Sequence, residues 1–534
     1  MTTEHDIPSP DGAAKTSGAD KPVRRRSRLT VAAAAILLIL AARAIYVTLT
    51  APGALLQPSI PAGAEEALVS GRTYPDYDGA VVPRNIAPLN FQILGERAGE
   101  RYVAAITGEK GRPIVLRGAK VQIPERAWRR LAAANVGGTL TFTCYARHGR
   151  KWTAFSSAVV AISEDPVDRW LHYRLIEPSY EFGNVISLNS RDLTNFRERA
   201  FVSNESFGQK PCLNCHAFQD RETDRFLFHF RDVDNPANSG TVLYNEGKVS
   251  KLPLKTSGGL PCVYPTWRPS GPFVVFSVNQ TRQMFHTLDA AKAEVFDLES
   301  HLALYDAETQ KLTQFTADPD VFDTFPSWAP DGSALYYCSA SLKLAGTTAT
   351  EREADALKRV DEFRYDIKRV AFDEKTRSFG TPEVVVAASS RGKSAVHPRV
   401  SPDGRFLIYT ECDSGAFPIW HNESDLIAVE LGTGMETRLD ALNSGYAETF
   451  HNWDSSGRWL VYASRRGDGV YTRLWLAHID ASGQASKPFP IPQRDPERDT
   501  TLLKSYNVPE FTREPIRADG RKLMKAAKSV VVTP

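Results

Sequence analysis

Phe325-Pro326-Ser327-Trp328-Ala329-Pro330-Asp331-Gly332-Ser333-Ala334-Leu335-Tyr336-Tyr337-Cys338 reads as the opening of a repeated β unit: an aromatic-Pro-x-Trp start, a Pro-Asp-Gly turn, then an apolar run. Asp-Gly between two β-rich runs signals a hairpin, because glycine accepts the positive φ that tight turns demand. The same grammar returns three times, with some positions substituted. Tyr264-Pro265-Thr266-Trp267 leads to Ser270-Gly271 and Phe273–Ser277, and His397-Pro398-Arg399-Val400 leads to Pro402-Asp403-Gly404 and Phe406–Thr410. Phe450-His451-Asn452-Trp453 leads to Ser456-Gly457 and Trp459–Ala463. The turn glycines at 271, 332, 404 and 457 recur every ~50–70 residues, a spacing that suits four-stranded propeller blades.

Weaker copies extend the series at both ends. One is built around Lys210–Phe230, with strands at Phe226–Phe230 and Thr241–Tyr244; the other is Tyr506-Asn507-Val508-Pro509-Glu510, with a turn at Ala518-Asp519-Gly520. The fold class expected is therefore all-β: a six-bladed β-propeller over residues 196–534. Before it, residues 79–195 carry short β-like runs and one helix at Glu125–Ala134, a pattern that predicts a small Ig-like β-sandwich. The grammar of the repeats resembles the TolB-like β-propeller family with WD-like repeats.

Composition agrees with a folded chain. Of 534 residues, 42% are hydrophobic and 24% charged, which excludes global disorder and a polytopic membrane protein. Lys+Arg 65 against Asp+Glu 63 leaves +2, so no whole-chain field favours a nucleic-acid partner.

The N-terminus sets an expected compartment. Residues 1–28 read as a disordered cytoplasmic tail ending in Arg24, Arg25, Arg26 and Arg28, and 29–51 as a single transmembrane signal anchor. The rival reading is a signal peptide cleaved after Ala42-Arg43-Ala44. Residues 52–78, rich in Pro, Ala and Gly, read as a linker. On this reading the inner membrane is a partner through the helix, and the folded regions lie in the bacterial periplasm.

The chemistry is expected at Cys212-Leu213-Asn214-Cys215-His216, a C-x-x-C-H sequence and the attachment signature of c-type haem. Two thiols three residues apart each form a thioether to a haem vinyl group, and the adjoining imidazole reaches the iron. The cofactor expected is one covalent haem c, held by Cys212, Cys215 and His216. A redox disulfide, half a zinc site and a structural disulfide are the competing readings of the two cysteines. No H-E-x-x-H and no G-x-S-x-G occurs, and Arg391-Gly392-Lys393-Ser394 lacks the first glycine of a phosphate loop. For a sixth iron ligand, His397 and His451 stand out because they replace the aromatic or proline that opens sister repeats; His286 lies in a long insertion.

Cys-x-Asn-Cys-His, Trp267-Arg268-Pro269-Ser270-Gly271, Thr281-Arg282-Gln283-Met284-Phe285-His286-Thr287 and Phe417-Pro418-Ile419-Trp420-His421 together resemble bacterial propeller proteins carrying one haem motif. A more distant similarity is to the haem-bearing propeller of the hydrazine synthase α subunit. The function these readings imply is electron transfer, or redox partner binding, with a periplasmic protein partner. The alternatives are a protein-binding scaffold with a structural or sensory haem, and a haem enzyme acting on a small molecule.

Overall fold

The computed structural model describes residues 58–66, 73–95, 100–177, 185–206, 211–232, 235, 238–252, 259–285 and 293–529, together with Leu38 and Ala41. Six successive antiparallel sheets make up most of it. Sheet I joins the C-terminal strand Ser505–Thr512 to Trp170–Ile176, Ile186–Asp192 and Glu198–Ser203. Sheet II runs Cys212–Gln219, Glu222–Arg231, Gly240–Asn245, Lys248–Leu252, and sheet III runs Cys262–Trp267, Phe273–Phe285, Ala293–Asp306, Lys311–Gln314. Sheet IV runs Val321–Trp328, Ala334–Ser341, Asp366–Asp373, Ser378–Phe379, with Glu383–Val386 also paired to its third strand. Sheet V runs Ser394–Val400, Phe406–Cys412, Asp425–Glu430, Met435–Arg438, and sheet VI runs Glu448–Trp453, Trp459–Ser464, Arg473–His478, Phe489–Pro490.

The inner strand of each sheet touches the inner strands of the sheets before and after it, and Ser505–Thr512 closes the circuit between sheets VI and II. The result is a β-propeller-like fold. Its cohesion comes from apolar layers between neighbouring sheets. Val275 and Leu304 of sheet III, for example, meet Trp328 and Tyr337 of sheet IV. Burying side chains of this size contributes about 1.5–3 kcal/mol each.

Two boundaries differ from expectation. The segment 79–195 is not one unit, because Trp170–Ile176 pairs with Ile186–Asp192 on one side and with the C-terminal strand on the other, in sheet I. Ring closure by the C-terminus explains this: Ser505–Thr512 supplies the inner strand of a sheet whose other three strands lie far upstream. Nor does Ala518-Asp519-Gly520 turn a hairpin. Asp519 caps a helix, Gly520–Lys528, by accepting the Arg521 N–H at 2.9 Å, and Leu523 and Ala527 of that helix are buried beside Phe201.

The region before sheet I has mixed pairing where an all-antiparallel sandwich is expected. It has one six-stranded sheet in which Glu65–Glu66 and Val81–Pro83 run parallel to Lys151–Ser163. A separate three-stranded sheet joins Thr73–Tyr74, Phe91–Ile93 and Lys120–Val121, and the helix Glu125–Ala134 buries Trp128 and Leu131. Its core runs without a break into Trp459, Leu474 and Phe489 of sheet VI.

The expected membrane span 29–51 lies, except for Leu38 and Ala41, outside the described residues. Among the described residues no helix is long and apolar enough to cross a membrane, so the single-pass inner-membrane location is withdrawn.

Candidate functional site

Each inner strand breaks its ladder at the same point. One residue there has positive φ: Cys215 (51°), Tyr264 (46°), Phe325 (48°), His397 (56°), Phe450 (49°) and Val508 (51°). The pairing register shifts at each of these sites. A β-bulge re-aims a side chain, and here six bulges aim six side chains into one central cavity of ≈ 510 Å³, which all six line. Holding a non-glycine residue in the left-handed region costs about 1–2 kcal/mol, so six such residues are sustained only by the surrounding sheets. The residue after the bulge is Pro265, Pro326, Pro398 and Pro509 in four strands, and His216 and His451 in the other two. Proline is tolerated there because the bulged backbone N–H is not needed by the ladder.

Cys212 and Cys215 are free, buried thiols on the cavity wall. Burial pushes the Cys215 thiol up to about 11, against the pull of the Tyr264 backbone hydrogen bond and the Arg174 charge. A protonated, shielded thiol of this kind is not poised for disulfide exchange. His216 lines the cavity with both ring nitrogens lacking a hydrogen-bond partner. Its Nε2 lies 4.0 Å from Glu510 Oε2, beyond hydrogen-bonding distance. Burial, then the Arg174 charge, takes the His216 pKa down to about 3, while burial lifts the Glu510 carboxyl to about 7. Near neutral pH the imidazole is therefore uncharged, the form that binds metal.

His397 sits in the ring of bulged residues. Its Nδ1 is 2.9 Å from Thr449 Oγ1 and its Nε2 has no partner. The ring stacks on Phe450 at 4.8 Å and meets Phe325 edge-on at 4.5 Å. Burial, followed by the charges of Arg399 and His451, keeps its pKa well below the ordinary value. His451 is placed differently: its Nε2 donates to the Ile408 carbonyl at 2.8 Å, and it is not among the residues lining the cavity. His286 lies outside the described residues. His229, which no motif picks out, also lines the cavity with Nδ1 unpartnered, and burial and Arg231 bring its pKa down to about 4.

Two projections extend the wall. Phe273–Phe285 and Ala293–Asp306 form a hairpin that outreaches its sheet and carries Asn279, Thr281 and Arg282. The loop after Cys412 brings Phe417 and Trp420, and Phe417 lies 5.6 Å from Phe325 and 6.0 Å from Tyr264. His421 ties the two projections together, with Nε2 3.2 Å from Glu294 and Nδ1 3.1 Å from Glu423.

A c-type haem requires two free thiols at this spacing, an imidazole free to ligate, and an apolar wall for the macrocycle. Cys212, Cys215, His216 and the arc Tyr264–Phe325–Phe417 meet these conditions. Among the described residues no group of three or more His, Cys, Asp or Glu side chains is arranged to hold a bare metal ion.

No family model matches the sequence. An uncharacterized protein of Agrobacterium fabrum is 22% identical over 238 residues, 40% of this chain and 76% of its own length. Among solved structures, an oligogalacturonate lyase of Vibrio parahaemolyticus is 14% identical over 65% of this chain and 88% of its own, with a TM-score of 0.34. A Synechocystis apocarotenoid oxygenase variant is 11% identical over 83% and 97%, with a TM-score of 0.35. These two likenesses concern the propeller-like fold alone.

Proposed function

We propose that the chain is a six-bladed, TolB-like propeller carrying one covalent c-type haem in its central cavity and serving in electron transfer with a protein partner. The observation that carries the reading is the shared wall: two free thiols of a C-x-x-C-H sequence and the unpartnered nitrogens of His216 and His397 border one cavity. Cys212 and Cys215 would tether the cofactor, and His216 and His397 would offer imidazole nitrogens to its iron. When bound, such a haem supplies a one-electron couple. The chain's own residues supply orientation and dryness. Thr449 fixes the His397 ring through Nδ1 and leaves Nε2 toward the cavity, the arrangement by which an outer partner orients a metal-binding imidazole. Tyr264, Phe325, Phe417 and Phe450 shield the wall from water, which favours the less charged, reduced state.

A second reading, haem chemistry on a small molecule, is favoured by one feature: part of the wall is polar and cationic, through Arg174, His229 and Arg231. Visible spectra of the purified full chain, made alongside a c-type maturation system, test the proposal. A low-spin ferric spectrum with sharp reduced bands, unaltered by carbon monoxide, is expected. A chain without any haem absorbance would overturn it, and a high-spin, carbon-monoxide-binding spectrum would transfer support to the second reading.

A further inference from the structure

One corner of the cavity is cationic and, among the described residues, lacks a carboxylate partner. Strand Cys212–Gln219 pairs with Glu222–Arg231 so that Cys212 faces Arg231 and Asn214 faces His229. His229 and Arg231, two residues apart, lie on one face of their strand, and both line the cavity. From sheet I, Arg174 donates to the Asn214 side-chain oxygen, while its Nε is buried without a partner. Arg174 and Arg231 both act on the Cys215 thiol and on Tyr264, which places the two charges on the same side.

Acid elsewhere is already committed. Glu177, the one acidic residue on the cavity wall among the described residues, lies 3.6 Å from Lys504, and Glu353 pairs with Arg282 at 2.9 Å. Arg399 is opposed by Glu510. Among the described residues neither Arg174 nor Arg231 has a carboxylate partner. Guanidinium groups so placed match oxyanions, through charge-assisted hydrogen bonds that are roughly twice as strong as neutral ones.

We propose that Arg174, His229 and Arg231 form a binding subsite for a small anion, a carboxylate or inorganic oxyanion, taken up from solution. The vinyl and propionate groups of a haem lie on opposite edges of the macrocycle. A cofactor tethered at Cys212 and Cys215 therefore turns its own carboxylates away from this corner, leaving it to a separate ligand. The subsite stands on the arginines and does not require the cysteines to carry haem.

Thermal unfolding of the full chain provides the test, run on the wild type and on a Cys212→Ala/Cys215→Ala variant, with acetate, phosphate and uncharged acetamide as probes. Acetate or phosphate should raise Tm saturably in both chains, as a ligand selective for the native state does, and acetamide should not. Arg231→Gln should weaken the apparent affinity by about tenfold or more, the loss of one charge-assisted partner. Arg174→Gln provides a second variant on a different strand. Absence of a saturable rise, or an equal rise in both arginine variants, overturns the subsite. A rise in the cysteine variant that vanishes in the haem-loaded chain overturns its assignment to a free ligand, since the cofactor's carboxylates then fill the corner. Failure of haem attachment leaves the cysteine-variant arm intact, so the two readings fail separately.

Discussion

His397 is held by one hydrogen bond and two aromatic neighbours, a placement that decides what it can do. With Nδ1 engaged by Thr449 and the ring stacked on Phe450, Nε2 is the nitrogen left for the cavity. His397→Ala should convert a low-spin haem to a high-spin, carbon-monoxide-accessible one with covalent attachment intact. Thr449→Val should keep the imidazole but loosen its orientation, shifting the reduction potential without changing the spin state. Redox titration and spectra of both variants check this, and an unchanged spectrum for His397→Ala would remove it as ligand. The sequence made the C-x-x-C-H run legible because spacing alone carries that chemistry. It also made His397 legible, as a departure from an aromatic-Pro pattern. It did not separate His397 from His451, which stand one position apart in the repeat; only the bulge decides that one faces the cavity and the other bonds Ile408. His229 and Arg174 had no signal at all, since neither belongs to a motif and their convergence depends on strand pairing.

The bulged inner strand is the element that builds the site. The four clear repeats and their turns were readable because Asp-Gly and aromatic-Pro pairs have local causes. The closing sheet was not: Trp170–Ile176 and Ser505–Thr512 are paired by ring closure, which leaves no local mark in either segment. The cavity's rim depends on a different device, the His421 bridge between the extended hairpin and the loop after Cys412. Burial pulls the His421 pKa down, but its hydrogen bonds to Glu294 and Glu423 outweigh that and raise it from 6.5 to about 10. A folded-state pKa above the unfolded value stabilises fully below the unfolded value, and the effect is lost as pH rises through the folded one. His421→Gln should therefore cost on the order of 3 kcal/mol near pH 7, by leaving buried Glu294 without its partner. The gap between wild type and variant should narrow as pH rises from about 6.5 and close near pH 10 in denaturant titrations. A gap that stays constant or widens with pH would show that the imidazole does not carry charge there.

At the scale of the whole molecule, six sheets converge on one cavity, and each contributes one bulged side chain to its wall. Five of those residues are aromatic, imidazole or aliphatic; the sixth is Cys215, in the sheet that also carries Cys212 and His216. Near-equivalence of the sheets makes the departures informative: where four of the other five strands place proline after the bulge, this one places a histidine with no hydrogen-bond partner. The region before sheet I shares a continuous core with sheet VI, and Trp459 donates its indole N–H to the Asp165 carbonyl at 3.3 Å, so the propeller-like ring is buttressed on that side. Covalent attachment of haem to this one sheet is the central claim. Mass spectrometry of the denatured full chain, made with a c-type maturation system, tests it most directly. A mass increase of one haem is expected, mapping to the peptide containing Cys212 and Cys215 and disappearing in the Cys212→Ala/Cys215→Ala variant; an unmodified wild-type mass, from cells that mature another c-type cytochrome in parallel, would show that no haem is attached there.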